Sequence, residues 1–171
     1  TAVQLAQVAL WIESLAGDRP LSFFAHHIRC GNSLLGTWLD RLRKPLFADE
    51  DGEQDNQLEM FAHDIDQQIA AALDERLLID AELPPDVRKD TPQEYEYKSD
   101  RLQKAEGDVA QAKLFFCLRN AAAFLPAVKK VWWTLLRTPD LRKYAEKQSW
   151  WSDFERVCAA QKFFHWELEF P

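Results

Sequence analysis

Leu58-Glu59-Met60-Phe61-Ala62-His63-Asp64-Ile65-Asp66-Gln67-Gln68-Ile69-Ala70-Ala71-Ala72-Leu73-Asp74-Glu75-Arg76-Leu77-Leu78-Ile79 sets apolar side chains at 61, 65, 69, 72, 73, 77 and 79. That spacing is one face of a helix, and it runs until Pro84-Pro85, which cannot extend it. A second stretch from about Pro92 through Phe124 places Leu102, Val109, Ala112, Phe116 and Ala123 as the buried positions of another long helix. Neither helix can bury its stripe alone. Joined by a short Pro-containing turn, the two are expected to pack as a long antiparallel hairpin. The fold class read from this is mainly α, a helical domain centred on the hairpin, with short extended segments at both ends.

Working outward, residues 2–16 carry Val3, Leu5, Val8, Leu10, Trp11, Ile12 and Leu15 and leave little polar face, so this helix is expected to be buried on most sides. Gly17-Asp18-Arg19-Pro20 breaks it, and 21–30 reads as a loop leading into a short strand before Gly31. Ser33 is placed to cap a helix running to about Lys44. Residues 45–56 read as an exposed acidic loop. Beyond the hairpin, Pro126 can open a helix carrying Val128, Val131, Trp132, Leu135 and Leu136. Pro139 opens another, and Trp150-Trp151 and Phe154 lead a last one ending near Gln161. Phe164, Trp166, Leu168 and Phe170 then alternate with His165, Glu167 and Glu169, the period of a half-buried strand.

A chain of 171 residues with 47% apolar content can bury one ordinary globular core. The three cysteines at 30, 117 and 158 show neither a disulfide framework nor zinc-ligand spacing, which suits a reducing cytoplasm. No apolar run is long enough to span a bilayer and no leader pattern is present, so no membrane partner is expected. The net charge of -7 conceals a partition: residues 47–110 carry six basic against 19 acidic groups, and 113–147 carry eight basic against two.

The basic segment interleaves Lys113, Arg119, Lys129, Lys130, Arg137, Arg142, Lys143 and Lys147 with Trp132, Trp133 and Tyr144. Cations that displace counterions, with rings that stack on bases, are what a DNA-facing surface requires. Lys129, Lys130, Arg137, Arg142 and Lys143 are the candidate DNA contacts. The competing reading makes Trp132 and Leu135-Leu136 core, with the cations on an ordinary solvated face.

Other chemistries find little support. His26-His27 has no third metal ligand at a recognisable spacing, and His165 reads as a polar-face residue of the last strand. Cys30 and Cys117 sit in apolar surroundings without a partnered His at short range, and Cys158 lies on a helix close to Arg156 and Lys162, so none reads as an activated nucleophile. The carboxylates between 49 and 66 form a solvated acidic run, not a metal clamp.

Two runs carry a resemblance: His26-His27-Ile28-Arg29-Cys30-Gly31-Asn32-Ser33-Leu34-Leu35-Gly36, and Phe163-Phe164-His165-Trp166-Glu167-Leu168-Glu169-Phe170-Pro171. Both resemble segments of the large bacterial DNA adenine-N6 methyltransferases of restriction-modification and phage-defence systems. There a Gly-Asp-Ser-Leu run ends one strand of the cofactor-binding sheet, and a His-Trp-x-Leu-Glu-Phe-Pro run shortly precedes the catalytic Asn-Pro-Pro-aromatic motif. Residues 1–15 are similar to the stretch after the acidic ribose-binding residue in those enzymes.

The resemblance implies that 1–38 is a remnant of the cofactor-binding region, 39–161 a helical insertion domain, and 162–171 an extended segment leading towards the catalytic motif, which this chain lacks. The terminal strands would be left over from a Rossmann-like methyltransferase sheet. It implies S-adenosylmethionine as the parent's cofactor, near Gly31 and Asn32, where the family's acidic side chain accepts a hydrogen bond from the adenine amine. Asn32 can accept it without a charge to strengthen it. DNA would be the partner through the parent, and this piece alone would be inactive, with no tightly bound cofactor. The alternative is a stand-alone helical module for protein-protein interaction.

Overall fold

The structure, a computed structural model, describes residues 2–13, 27–42, 55–81, 83–88 and 91–170. It is mainly helical. Its elements in order are α1 (Ala2–Glu13), α2 (Leu39–Leu42), α3 (Asp55–Asp80), α4 (Pro92–Asp108), α5 (Ala110–Ala121), α6 (Pro126–Lys130), α7 (Trp132–Leu136), α8 (Leu141–Ala145), α9 (Trp151–Gln161) and α10 (Trp166–Glu169). The chain divides into two compact units, one formed by 1–30 and 71–107, the other by 31–70 and 108–171. The acidic loop expected at 45–56 lies almost wholly outside the described residues.

In the first unit the end of α3 buries Ala72 and Ile79, and α4 buries Ala105. Glu75 on α3 accepts from both Arg101 and Lys104 on α4, which ties the two helices electrostatically. Arg29 pairs with Glu106 at 2.5 Å. Helix α1 does not follow its expectation. Leu5 is 73% exposed, Leu10 49% and Ile12 60%, where burial on most sides was expected. An apolar helix signals that it needs cover, but its composition does not say that its own unit provides that cover on every side.

The second unit holds the larger core. The helix expected from Pro92 through Phe124 is two helices, broken at Val109 just after Gly107-Asp108, two poor helix formers. After the break, α5 turns Ala112, Phe115, Phe116, Leu118 and Ala121 inward. Pro126 occupies the first turn of α6, where its missing N–H is harmless. The expected single helix there is likewise two, since Val131 ends α6 and caps α7. Asp140 caps α8 by accepting from the Lys143 N–H at 3.2 Å, which satisfies one of the donors left open at a helix start. Helix α9 ends at Gln161, as its pattern indicated, and Lys162 turns the chain in the left-handed region at φ 50.

The extended segments need correction. Among the described residues no strand forms; one isolated parallel bridge joins Asn32 to Phe163. No strand precedes Gly31 in residues 27–30, and Ser33 lies in a turn instead of capping a helix. Residues 166–169 coil into α10, whose Leu168 and Glu169 N–H groups donate to the His165 carbonyl. The alternating apolar residues explain why strand was expected, because positions 164, 166, 168 and 170 are also two i, i+4 pairs. Phe164 and Leu168 are buried while Trp166 and Phe170 stay about 40% exposed, a helical partition of the same four residues.

Trp132 is fully buried and its ring lies 4.7 Å from that of Phe115. Trp132→Ala is expected to cost about 3–5 kcal/mol of stability, whereas Leu5→Ala on α1 should stay within about 0.5 kcal/mol. Urea unfolding followed by circular dichroism measures both, and equal losses would show that the core is misplaced.

Candidate functional site

The site is a junction of two segments far apart in sequence, Gly31–Leu39 and Lys162–Glu167, seated on α5. Their backbones interlock: the Asn32 N–H donates to the Lys162 carbonyl at 2.7 Å, and the Phe164 N–H donates to the Leu35 carbonyl at 2.8 Å. Side chains extend the pairing. The Leu39 N–H donates to Glu167 Oε2 at 2.5 Å, and the Trp166 indole N–H donates to the Ser33 carbonyl at 3.3 Å. Two glycines permit so close an approach. A Cβ on Gly36 would run into the Phe164 backbone carbonyl, and one on Gly31 into the Phe164 ring.

His165 anchors the junction. It is 1% exposed, with the ring of Phe116 on α5 meeting it edge-on at 5.2 Å. The Thr37 N–H donates to Nδ1 at 3.1 Å. In the neutral ring Nε2 therefore carries the proton. That nitrogen faces Cys117 Sγ at 3.3 Å. Burial, helped by the Lys113 ammonium, lowers the imidazole pKa to about 4. Thr37 also donates its hydroxyl to Asn120 Oδ1 at 2.8 Å. The residue before Asn120 on α5, Arg119, lies with its guanidinium 5.9 Å from the centre of the Trp132 ring. Burial and the nearby Arg41 push its pKa down to about 10, still charged at neutral pH. Lys113 and Glu169 close the edge with an ion pair at 2.5 Å.

Gly31 and Asn32 therefore both lie at the junction. Asn32 is exposed and its Oδ1 accepts from the Leu34 N–H at 3.2 Å, which holds the turn and leaves Leu34 91% exposed beside it. The five candidate DNA contacts lie elsewhere in the same unit: Lys129 and Lys130 at the end of α6, Arg137 after α7, Arg142 and Lys143 on α8. All are exposed, and Arg142 pairs with Glu146 at 2.8 Å. Trp132 and Leu135 are core, so Trp132 offers no stacking face and packing accounts for it. His26 lies outside the described residues, and His27 is exposed at a turn.

Two sequence readings are overturned here. His165 is a buried core imidazole, not a polar-face residue, because the coil at 166–169 turns it inward. Cys117, read as lacking a His partner, has His165 against its sulfur; Cys30, read as apolar in setting, is exposed. Cys117 and His165 stand too far apart in the sequence for any spacing signal to have paired them. Thr37 and Asn120 were missed for the same reason. Among the described residues no group of three His, Cys, Asp or Glu side chains could hold a metal ion, and no helix is long and apolar enough to cross a membrane. Comparison with protein-family models, with curated proteins and with solved structures gives no match.

The glycines rank by what they meet. Gly36→Ala should destabilise more than Gly31→Ala, since backbone cannot yield as a ring can; comparable unfolding midpoints for the two variants would count against this junction. The imidazole gives a pH signature. Its folded pKa lies below the ordinary 6.5, so its contribution is complete above about pH 6.5 and is lost as pH falls from there to about 4, where the unfolded chain takes up a proton that native His165 refuses. The loss should reach about 3 kcal/mol. Denaturant titrations at pH 7 and pH 4.5 should differ for the native sequence and differ much less for His165→Gln.

Proposed function

We propose that this chain is the helical insertion of an S-adenosylmethionine-dependent DNA adenine-N6 methyltransferase of a restriction-modification or phage-defence system. Residues 1–38 then close its cofactor-binding region, and 162–171 lead towards its catalytic motif. The observation that carries the reading is the isolated parallel bridge of Asn32 with Phe163, beside the hydrogen bond from the Asn32 N–H to the Lys162 carbonyl. The two runs that bear the family resemblance stand near opposite ends of the chain, yet lie side by side in parallel. In the parent these runs belong to one sheet, and an insertion between them must leave and return at neighbouring points. On this reading the expected hairpin of α3 and α4 would be the centre of that insertion, with Glu75 on α3 accepting from Arg101 and Lys104 on α4 in its support.

Asn32 fits the role of a modest cofactor contact. It is exposed, and its amide oxygen keeps a lone pair beyond the one engaged by Leu34. The cofactor would supply the methyl group, and the exocyclic amine of an adenine flipped from the duplex would receive it. The chain's own residues would hold the adenosine end of the cofactor through Asn32, with Gly31 keeping the turn tight. Lys129, Lys130, Arg137, Arg142 and Lys143 would meet phosphates as exposed cations. The isolated chain, without the Asn-Pro-Pro-aromatic loop, is inactive on this reading, and its parent works in the cytoplasm.

The second reading, a stand-alone helical interaction module, draws on the exposed Leu5, Leu10 and Ile12 of α1, which a partner could cover. Translating the source gene outward from Thr1 and Pro171 separates the two. An Asn-Pro-Pro-aromatic motif soon after Pro171 supports the methyltransferase, and a frame without it supports the module. In the parent enzyme, Asn32→Asp should tighten S-adenosylmethionine binding about tenfold by giving the hydrogen bond a charged acceptor, and Asn32→Ala should weaken it. Calorimetric titration reads both, and identical affinities would remove Asn32 from the cofactor site.

A further inference from the structure

We propose that Trp166 is the stacking surface of a nucleoside site, on whose indole the adenine of S-adenosylmethionine lies while Asn32 reads its edge. The inference deepens the cofactor reading of Asn32 and rests on it; what it adds is the ring. Trp166 and Phe170 on α10 stay about 40% exposed although both belong to an aromatic cluster. Their rings stand 6.1 Å apart, and the buried Phe164 meets Trp166 edge-on at 5.0 Å and Phe170 at 6.1 Å. An indole on a surface helix is ordinarily free to change rotamer, but this one is held at two points. Phe164 backs it, and its N–H donates to the Ser33 carbonyl at 3.3 Å. Phe164 in turn lies so close to Gly31 that a Cβ there would strike its ring. The indole is therefore oriented before any ligand arrives, which lowers the ordering cost of binding.

The polar half of the site is fastened to the same three-residue turn. Asn32 is exposed and its Oδ1 accepts from the Leu34 N–H at 3.2 Å, which leaves the oxygen a second lone pair. Its amide nitrogen has no partner among the described residues. One acceptor beside one donor matches the edge of adenine, where an exocyclic amine donates next to a ring nitrogen that accepts, the pairing by which an Asn side chain reads that base. Leu34, 91% exposed, adds an apolar surface on the same turn. Both halves are needed. Hydrogen bonds from an exposed amide compete with water and contribute little by themselves, whereas an aromatic face under a base raises affinity about tenfold or more.

Charge narrows the ligand further. The helix that carries the indole adds two carboxylates and no cation, and these are engaged by the Leu39 N–H and by Lys113. A neutral nucleoside, or one bearing a sulfonium, suits that field better than a base in a phosphate chain.

The test titrates the unaltered chain with adenosine, with S-adenosylmethionine and with single-stranded oligodeoxyadenylate. Nitrogen–proton NMR follows the Trp166 indole and Asn32 amide signals, assigned through Trp166→Phe and Asn32→Ala. Adenosine and S-adenosylmethionine should move both signals, and the protons of the base should shift upfield in the ring current and show cross-relaxation with the Trp166 indole, a readout that needs no variant to fold. Trp166→Leu should weaken adenosine binding about tenfold, while Trp166→Phe, which keeps a ring, retains most of it. Binding that Asn32→Ala abolishes and Trp166→Leu leaves unchanged would overturn the stacking role and leave the cofactor reading standing. Adenosine that moves neither signal would overturn the site, and the titration of Asn32 variants in the parent enzyme then decides the cofactor reading by itself. Oligodeoxyadenylate binding about tenfold tighter than adenosine would overturn the choice of ligand and assign the indole to a DNA base.

Discussion

One buried imidazole holds the second unit together. His165 has two ring nitrogens and almost no exposure to water, so each nitrogen must find a partner inside the protein or cost about 1–3 kcal/mol. Thr37 supplies the first partner and Cys117 the second. Because the first comes from the loop before α2 and the second from α5, satisfying one side chain fixes three segments at once. The glycines at 31 and 36, the cap at Leu39 and the packing of Phe164 follow from that placement, since each has its geometry set by where residues 163–167 run.

Which parts of this were legible in the sequence depended on range. Local signals read well: Pro126 opens α6, the apolar spacing from Phe61 to Ile79 falls within α3, and the aromatic lead at Trp150-Trp151 starts α9 at Trp151. Where two periods share the same residues, the sequence was ambiguous. Phe164, Trp166, Leu168 and Phe170 satisfy both a strand and a pair of i, i+4 contacts, and backbone bonds to the His165 carbonyl decided for the helix. The breaks at Val109 and Val131 went unread because a gap of one residue barely disturbs an apolar pattern. The Thr37, Asn120, Cys117 and His165 cluster was invisible for a different reason: its members come from three segments, and no local rule relates positions 37, 117, 120 and 165. Asn32 stood out through resemblance, not through any property of its neighbours.

The charge partition acquires a physical meaning in the folded chain. Among the described residues, named ion pairs carry it. Glu75 takes two cations from α4, Glu169 takes Lys113, and Arg142 takes Glu146 just past the end of its own helix, so the pairs are local and specific. Helices α6 and α8 carry exposed cations, and the neighbouring aromatic, Trp132, faces inward. Such a surface can follow a phosphate backbone, but without a ring turned outward at Trp132 it has less with which to discriminate among bases.

The junction also constrains what an insertion could be. A helical domain placed between two neighbouring points of a sheet must return its chain to within hydrogen-bonding distance of where it left, or it would pull the host fold apart. The αL turn at Lys162 brings the chain back to Asn32: its carbonyl accepts from the Asn32 N–H while its own N–H donates to the Cys158 carbonyl on α9. A lysine in that conformation is disfavoured relative to glycine, so the turn is held by its bonds on both sides and not by the preference of its own backbone. The same residue thus ties the end of α9 to the turn that carries Asn32.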